Sequence, residues 1–435
     1  MTPQIRARLD LTRPQILAFR RHAGALDTRL ASGPGSLRHA AWAGLQDSMP
    51  RAALLSIHAR VEGTGPSAWE DPSLVQLWGP RYSVFVVAAC DLAVFSLGTL
   101  PDDAKGRRRA EDLAARLHAA LGGARMPYGE AGDAMGLHHA NLLRYAAATG
   151  TVLIRWEGAG QPAVWTVPPP DVGPRDARLE LARRYLHVYG PATPEAFSRW
   201  AGIGPRPGVA AFAALGASLT PVRTPVGDAW ILTQDEAAFR AASRPAAPVR
   251  LLPSGDAYFL LQAADRDLLV PDADRRLALW TPRVWPGALL LAGEIAGTWR
   301  RVGPLMTVQP WRRLSPAERD GVAAEAESLP LPGIDKQIAV RWDLPGTYLR
   351  RAQAPIQSAA AAASASRSTT LSTFPDASAQ RPSRVVTQPK PAKFPLYPNF
   401  GRTSRACSSS WMPSASTSSS AYSSWLVVSP ALGAP

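Results

Sequence analysis

Cysteine is nearly absent from this sequence of 435 residues, which contains only Cys90 and Cys407. Two thiols are too few for a zinc cluster or a disulfide framework, and Cys90 is predicted to be a small core residue. The sequence also lacks an apolar run of about 18 residues and an N-terminal secretory signal. These absences predict a cytoplasmic protein that is neither exported nor inserted in a membrane.

Positive charge is abundant and unevenly distributed. The net charge is +14, but nine basic residues and a single acidic one, Asp376, follow residue 343. That last part is rich in Ala, Ser and Pro without a helical or strand period, so 344–435 is predicted to be a disordered tail. The remaining body is moderately basic, which permits nucleic-acid binding without requiring it. Its apolar content is sufficient for several domains.

Three segments of the body share one plan, in which a helix-like stretch ends at a glycine and a second amphipathic stretch follows a short turn. The glycines are Gly44, Gly136 and Gly202. Candidate β-hairpins follow the second and third copies, as TVLIRWEG with PAVWTV and as LTPVR with DAWIL, and RYSVFVVAA could supply the first. Amphipathic helices precede all three copies, which completes the winged-helix plan.

Local capping signals mark several of these helices. Thr12 with Gln15 and Ser315 with Glu318 form capping boxes, and Thr193 precedes a proline at the first helical position. After residue 232 the segments VRLLPSGDAYFLL, RDLLVP, ALLLAGEIAGTWRRVG and LMTVQPW are strand-rich.

The predicted fold is therefore α+β, with tandem winged-helix (helix-turn-helix) repeats followed by a small β-rich domain with a closing helix and by the tail. The predicted boundaries are 1–104, 105–170 and 171–245 for the three winged-helix units, 246–343 for the β-rich domain and 344–435 for the tail.

Over about residues 11–343 the sequence resembles the AlkZ-like winged-helix DNA-binding family. The matching segments are GLQDSMPRAALLSIHARV, TGTVLIRW, ELARRYLHVYGPATPEAFSRWAG, VRLLPSGDAY with DRDLLVP, and GEIAGTWRR with PWRRLSPAER. The resemblance implies DNA glycosylase activity on alkylated or crosslinked purines in double-stranded DNA. Such a monofunctional hydrolase requires no metal or organic cofactor, and a monomer is expected.

In that family the catalytic motif is a glutamine, an apolar residue, and then a glutamine or an aspartate. The matching residues are Gln46, Asp47 and Ser48, so the second and third positions depart from the pattern. Gln46 could align the attacking water through its carbonyl oxygen, with an acceptor from Ser48 or from the Asp47 carboxylate. The alternative is structural, because Asp47 or Ser48 could instead cap the helix that begins near Pro50.

Two further groups are candidates for DNA contact. His138, His139, Asn141 and Arg144 begin the second helix of the middle copy, where a winged helix presents its recognition surface, although a neighbouring unit could cover that face. Trp299, Arg300 and Arg301 follow a strand and could form a basic hairpin against the duplex, or else a solvated strand edge. Arg107 to Arg109, Arg183 and Arg184 are predicted to be solvent-facing helix charges.

These interpretations predict a DNA-binding protein that removes alkylated or crosslinked purines by attack of water at the anomeric carbon. The alternative is a non-catalytic winged-helix DNA-binding or regulatory protein, which the altered tripeptide favours. A third interpretation, a scaffold for protein contacts alone, is compatible with the moderate charge of the body.

Overall fold

A computed structural model of the chain describes residues 8–33, 35–47, 51–156, 161–241, 249–334 and 337–343. All of them lie in the first of the two units into which the chain divides, residues 1–361. The predicted tail at 344–435 lies outside the described residues, as does Ser48.

Helices and strands both occur throughout the described ranges, as the α+β prediction requires. The α-helices are α1 (Arg13–Ala23), α2 (Ser36–Ala40), α3 (Ala52–Arg60), α4 (Leu92–Ser96), α5 (Ala104–Leu121), α6 (Tyr128–Ala134), α7 (Pro174–Tyr189), α8 (Pro194–Ala201), α9 (Pro205–Leu215), α10 (Glu236–Arg240), α11 (Ala264–Leu269), α12 (Ala273–Leu279) and α13 (Pro316–Glu327). The 3₁₀ segments are Ala68–Glu70, Pro80–Tyr82, Ala89–Asp91, Leu97–Thr99, Ala140–Thr149, Gly216–Ser218, Thr233–Asp235 and Ala257–Phe259.

The strands form three sheets. They are β1 (Leu9–Asp10), β2 (Leu45–Gln46), β3 (Leu74–Trp78), β4 (Val84–Ala88), β5 (Met126–Pro127), β6 (Val152–Arg155), β7 (Ala163–Thr166), β8 (Leu219–Thr224), β9 (Gly227–Leu232), β10 (Val249–Leu252), β11 (Gly287–Leu291), β12 (Glu294–Val302), β13 (Leu305–Pro310) and β14 (Ala339–Trp342). Their orders are β1-β8-β9, β2-β4-β3-β6-β7-β5 and β10-β11-β12-β13-β14.

The six-stranded sheet joins the first two predicted units. Antiparallel pairing of β3 with β6, with Gln76 opposite Ile154, connects the first hairpin to the second. Trp78 is 2% exposed and lies in the same apolar cluster as Leu117 and Val164. The predicted boundary at residue 104 therefore crosses a continuous sheet and a shared core.

The third copy has the element order that the sequence predicts. Helices α8 and α9 flank Gly202, and the hairpin β8–β9 follows. The other two copies differ in detail. In the first copy the short strand β2 separates Gly44 from α3. In the second, Ala140–Thr149 forms successive 3₁₀ turns in place of an α-helix.

The predicted helix caps are confirmed. Capping boxes involving Thr12 and Ser315 begin α1 and α13, and the Thr193 hydroxyl accepts from the backbone of Ala196 at the start of α8. Each cap satisfies N–H groups that have no partner within the helix.

Three sequence predictions about this body are wrong. Cys90 is exposed. Arg184 is buried, where its guanidinium meets Asp91 Oδ2 at 2.8 Å and stacks on Trp42. The segment RDLLVP belongs mainly to helix α11, since Asp265 and Asp267 favour its N-terminal turn and its apolar side chains pack inward.

Candidate functional site

Gln46 lies at the junction of three chain segments. Its strand β2 follows Gly44, which has a φ of +73°, and pairs antiparallel with β4 so that Gln46 is opposite Phe85. The Gln46 Oε1 atom is 3.5 Å from Arg81 Nη2 in the β3–β4 turn. On another side is Gly255, in the loop after β10, where an added Cβ atom would lie 3.4 Å from Gln46 Cδ. The half-buried amide thus lies between the six-stranded sheet and the β-rich domain.

Asp47 faces the protein interior and is 1% exposed. Its Oδ1 accepts from the backbone N–H of Ala53 at 2.9 Å, in the first turn of α3, and its Oδ2 accepts from Gln76 Nε2 at 2.9 Å. Gln76 Oε1 in turn accepts from the backbone N–H of Trp156 at 2.7 Å. Asp47 therefore caps α3 and ties the motif segment to the end of β6, which is the structural alternative that the sequence allowed.

Burial raises the pKa of Asp47 to about 7. The hydrogen bond from Ala53, the charge of Arg51 and the hydrogen bond from Gln76 act in the opposite direction but do not offset the loss of hydration. The carboxyl group is consequently half-protonated near neutral pH.

Arg81 and Tyr82 form an unusual turn beside Gln46. Both have left-handed backbone angles, with φ of +56° and +55°, which cost side-chain-bearing residues about 1–3 kcal/mol each. The Arg81 guanidinium donates to the backbone carbonyl of Trp200, at the end of α8. A Cβ atom at Gly202 would approach the Arg81 N and Cα atoms to 2.9 Å. The turn after α8 thus leaves room for Arg81.

The second predicted group lies at the surface near this turn. His138, His139, Asn141 and Arg144 are exposed, and Asn141 Oδ1 accepts from the hydroxyl of Tyr128. The neighbouring Tyr145 packs edge-on against Tyr82, with 4.8 Å between ring centroids. This contact places the exposed group beside the Arg81 turn. Its contact with DNA stays a prediction.

The predicted basic hairpin needs one correction. Trp299, Arg300 and Arg301 lie within β12, and Trp299 is only 6% exposed because it fills the space over Gly287 and donates from Nε1 to the Leu252 carbonyl at 3.0 Å. Trp299 is therefore a core residue rather than a DNA contact. Arg300 is exposed and Arg301 half-buried, and they donate to backbone carbonyls of Val284 and Gly303 respectively. Val302, at the hairpin tip, is 82% exposed.

Sequence reasoning missed Arg81, Gln76 and Gly255. Gly255 carried a weak signal, because Pro253-Ser254-Gly255 is a turn sequence. Arg81 and Gln76 carried none, since their roles depend on strand pairing that brings distant segments together.

Within the described ranges, no three His, Cys, Asp or Glu side chains are grouped to hold a metal ion. No helix in the same ranges has the length and apolarity to cross a bilayer.

The described residues form an α+β protein with three sheets, and its candidate polar site lies where the six-stranded sheet meets the loop after β10. The sequence model of the family described as "DNA glycosylase AlkZ-like" matches residues 39–330. The chain belongs to this family.

Two individual comparisons accompany the family match. An interstrand DNA cross-link repair glycosylase from Streptomyces sahachiroi is 27% identical over 217 residues, which are 45% of this chain and 55% of the relative. The alignment thus spans about half of that relative's length. The solved structure of DNA glycosylase AlkZ from Streptomyces sahachiroi aligns with a TM-score of 0.64 at 19% identity, over 77% of this chain and 100% of that structure. The two chains share a fold.

Proposed function

We propose that this protein is a DNA glycosylase that removes N-alkylated or crosslinked purines from double-stranded DNA and leaves an abasic site. The observation that carries the proposal is the placement of Gln46, a half-buried amide beside a charged arginine, within the segment matched by the glycosylase family. The Streptomyces relative named as a cross-link repair glycosylase supports the choice of substrate.

Removal of an N-alkylated purine does not require a strong general acid or base in the protein. An N-alkylated purine already carries positive charge and leaves the sugar readily, so protonation of the leaving group is unnecessary. The protein has to hold a water near the anomeric carbon and to stabilise the charge that develops on the sugar. An amide oxygen in a fixed position is suited to aligning that water, and this is the role proposed for Gln46.

Asp47 has a supporting role in this proposal. Both of its carboxylate oxygens accept hydrogen bonds from the protein, one from α3 and one from Gln76. It holds β2, which bears Gln46, against α3 and β3. Asp47 therefore acts as a positioning residue, and the direct work falls to Gln46 together with Ser48.

The test is base release from oligonucleotides that carry an N7-alkylguanine or an interstrand crosslink. Gln46→Ala is expected to slow excision by about 100-fold or more, because the acceptor for the water is lost. Gln337→Ala removes an exposed amide that contacts Glu327 and serves as the matched control. Equal excision by Gln46→Ala and the parent would remove Gln46 from the mechanism.

A second candidate function is DNA binding without catalysis. The commitment of Asp47 to capping α3 favours it, because the Asp47 carboxylate then cannot replace the glutamine or aspartate that the family has at the position of Ser48. This candidate predicts that the parent binds both oligonucleotides and releases no base, while Ser48→Gln, which restores the family's glutamine, gains activity.

A further inference from the structure

Arg81 carries a positive charge for which the described residues provide no carboxylate partner. Three more deeply buried arginines each have a carboxylate partner, since Arg20 pairs with Asp265, Arg60 with Asp256 and Arg184 with Asp91, whereas Arg250, like Arg81, donates to backbone carbonyls. Arg81 instead contacts two neutral oxygens, the Trp200 carbonyl and the Gln46 amide. A half-buried cation normally has an anionic partner, because losing hydration without one is unfavourable.

The surroundings of Arg81 increase this imbalance. Burial and the nearby positive charge of Arg266 lower the pKa of Arg81, although an arginine remains protonated at neutral pH. Arg266 also lacks a carboxylate within ion-pair distance among the residues that the structure describes. It donates to the Leu261 carbonyl and stacks near Trp280 and Trp285. Two guanidinium groups close enough to affect one another thus both lack a carboxylate partner among the described residues.

The backbone fixes Arg81 in this position. Left-handed angles at Arg81 and Tyr82 turn the chain sharply between β3 and β4, and Gly202 allows the Arg81 backbone to pass close to the turn after α8. Arg81 is half-buried rather than fully buried, and its guanidinium has N–H groups beyond those donated to Trp200 and Gln46. These N–H groups could donate to an anionic ligand.

We propose that Arg81 binds a phosphodiester of DNA adjacent to the nucleotide that Gln46 acts on. The identity of that nucleotide rests on the proposed function. A guanidinium presents paired donors that match two phosphate oxygens. A bound phosphate would neutralise the uncompensated charge.

The same contact has a consequence for the reaction. An uncompensated Arg81 would oppose the positive charge that develops on the sugar during base loss. With a phosphodiester on Arg81, the negative charge of the substrate lies between the guanidinium and the sugar, and the repulsion is offset. The positive charge of Arg81 is therefore balanced only when DNA is bound.

The salt dependence of DNA binding tests this proposal. Binding of the full chain to a duplex with a tetrahydrofuran abasic analogue is measured over a range of salt concentrations. The affinity falls as the salt concentration rises, and loss of one phosphate contact makes the slope of log K against log salt less steep by about 0.9. Arg81→Gln is expected to show that loss, and Arg81→Lys to retain most of the parent slope because it keeps the charge.

The matched control is Arg240→Gln, which makes the same change in net charge at an arginine held by Glu236 on its own helix. Its slope is expected to equal that of the parent. Arg81→Gln with an unchanged slope would overturn the proposal and leave Arg81 as a positioning residue for Gln46.

A change in the DNA tests the proposal without relying on the folding of a variant. A neutral methylphosphonate replaces the phosphodiester on either side of the abasic analogue, one linkage at a time. One of these replacements is expected to weaken binding by the parent and to have little further effect on Arg81→Gln. Equal weakening of both proteins by every replacement would contradict the assignment.

Base release from an N7-methylguanine duplex, measured in parallel, separates the two proposals. If the parent releases no base, but Arg81→Gln has a less steep salt dependence than the parent, the phosphate contact is supported and the glycosylase activity is contradicted. If the parent releases base, and Arg81→Gln has the same salt dependence of binding as the parent, the glycosylase activity is supported and the phosphate contact is contradicted.

Discussion

The Asp47 carboxyl group couples stability to pH. Its pKa is about 7 in the folded protein and near 3.8 when solvated, so between these values the folded chain binds more protons than the unfolded chain. Stability from this group is therefore present at low pH and is lost as the pH rises from about 4 to about 7. Above that range the full penalty of a buried carboxylate remains.

Asp47→Asn is expected to abolish this dependence. The free energy of unfolding of the parent, relative to the variant, should fall by a few kcal/mol between about pH 4 and pH 7 and then stay constant. Denaturant titrations of both proteins across this range provide the measurement. A difference that does not vary with pH would show that Asp47 keeps an ordinary pKa.

His58 also makes stability depend on pH, so the effect of Asp47 can be isolated only by comparing the parent with Asp47→Asn. Burial and the charges of Arg29 and Arg250 lower the pKa of His58 to about 4, so the folded protein keeps the imidazole neutral. The unfolded chain gains a proton below about 6.5, and stability from this group is lost as the pH falls. His58 and Asp47 thus act in opposite directions over one range, and the parent alone would show only their difference.

At the scale of elements, the three repeat glycines share a left-handed backbone but have different surroundings. Their φ values are +73° at Gly44, +64° at Gly136 and +75° at Gly202. A Cβ atom would lie 2.9 Å from the rings of Phe85 and Phe95 at Gly44, whereas at Gly136 it would meet nothing within 4 Å. At Gly202 it would meet the backbone of Arg81.

Substitution by alanine should therefore destabilise the protein unequally. Gly136→Ala is expected to cost about 1–2 kcal/mol, from the left-handed backbone alone. Gly44→Ala and Gly202→Ala should each cost about 1–3 kcal/mol more, from overpacking, and Gly202→Ala should also reduce excision by displacing Arg81. Thermal denaturation and base release measure the two effects. Equal losses at all three positions would contradict this ordering.

The elements also show which features can be predicted from sequence. The caps at Thr12, Thr193 and Ser315 were predictable because a cap depends on residues within one turn. The repeat glycines were visible for the same reason. The hydrophobic period at Ala140–Thr149 was also visible, but it did not distinguish an α-helix from successive 3₁₀ turns.

Features that depend on long-range pairing were not predictable. Parallel pairing of β1 with β8 and the junction between β3 and β6 join segments far apart in sequence. The site depends on the same pairing. Gln46 was identified through the family motif, but its neighbour Arg81 is brought to it by β2 and β4, and the burial of Trp299 follows from its packing over Gly287.

At the scale of the whole molecule, the loop beside Gln46 is connected to the hairpin formed by β12 and β13. Gly255 lies against the Gln46 amide, and Leu252, three residues earlier, accepts a hydrogen bond from Trp299. Trp299 is followed in β12 by Arg300, Arg301 and the exposed Val302. Trp299 thus joins the strand that leads to the candidate site with a hairpin whose tip is basic and apolar.

If the proposed function is correct, we expect the hairpin tip to contact the duplex while Gln46 acts on the purine. An apolar side chain can wedge between base pairs and assist access to a lesion. Val302→Ser is expected to lower the rate of base release from duplex DNA by about tenfold, equivalent to about 1.4 kcal/mol. Because Val302 is 82% exposed, the stability of the folded protein should change little.

Leu277→Ser supplies the comparison, since Leu277 is also an apolar residue of the C-terminal part of the body and is 72% exposed. It should leave base release unchanged. A loss shared by both variants would point to a general effect of surface polarity, whereas no loss at Val302 would remove the hairpin tip from the interface. A single-stranded substrate adds a sharper comparison, because it has no base pairs to separate. The effect of Val302→Ser should therefore be confined to the duplex, which only a role in opening the double helix explains.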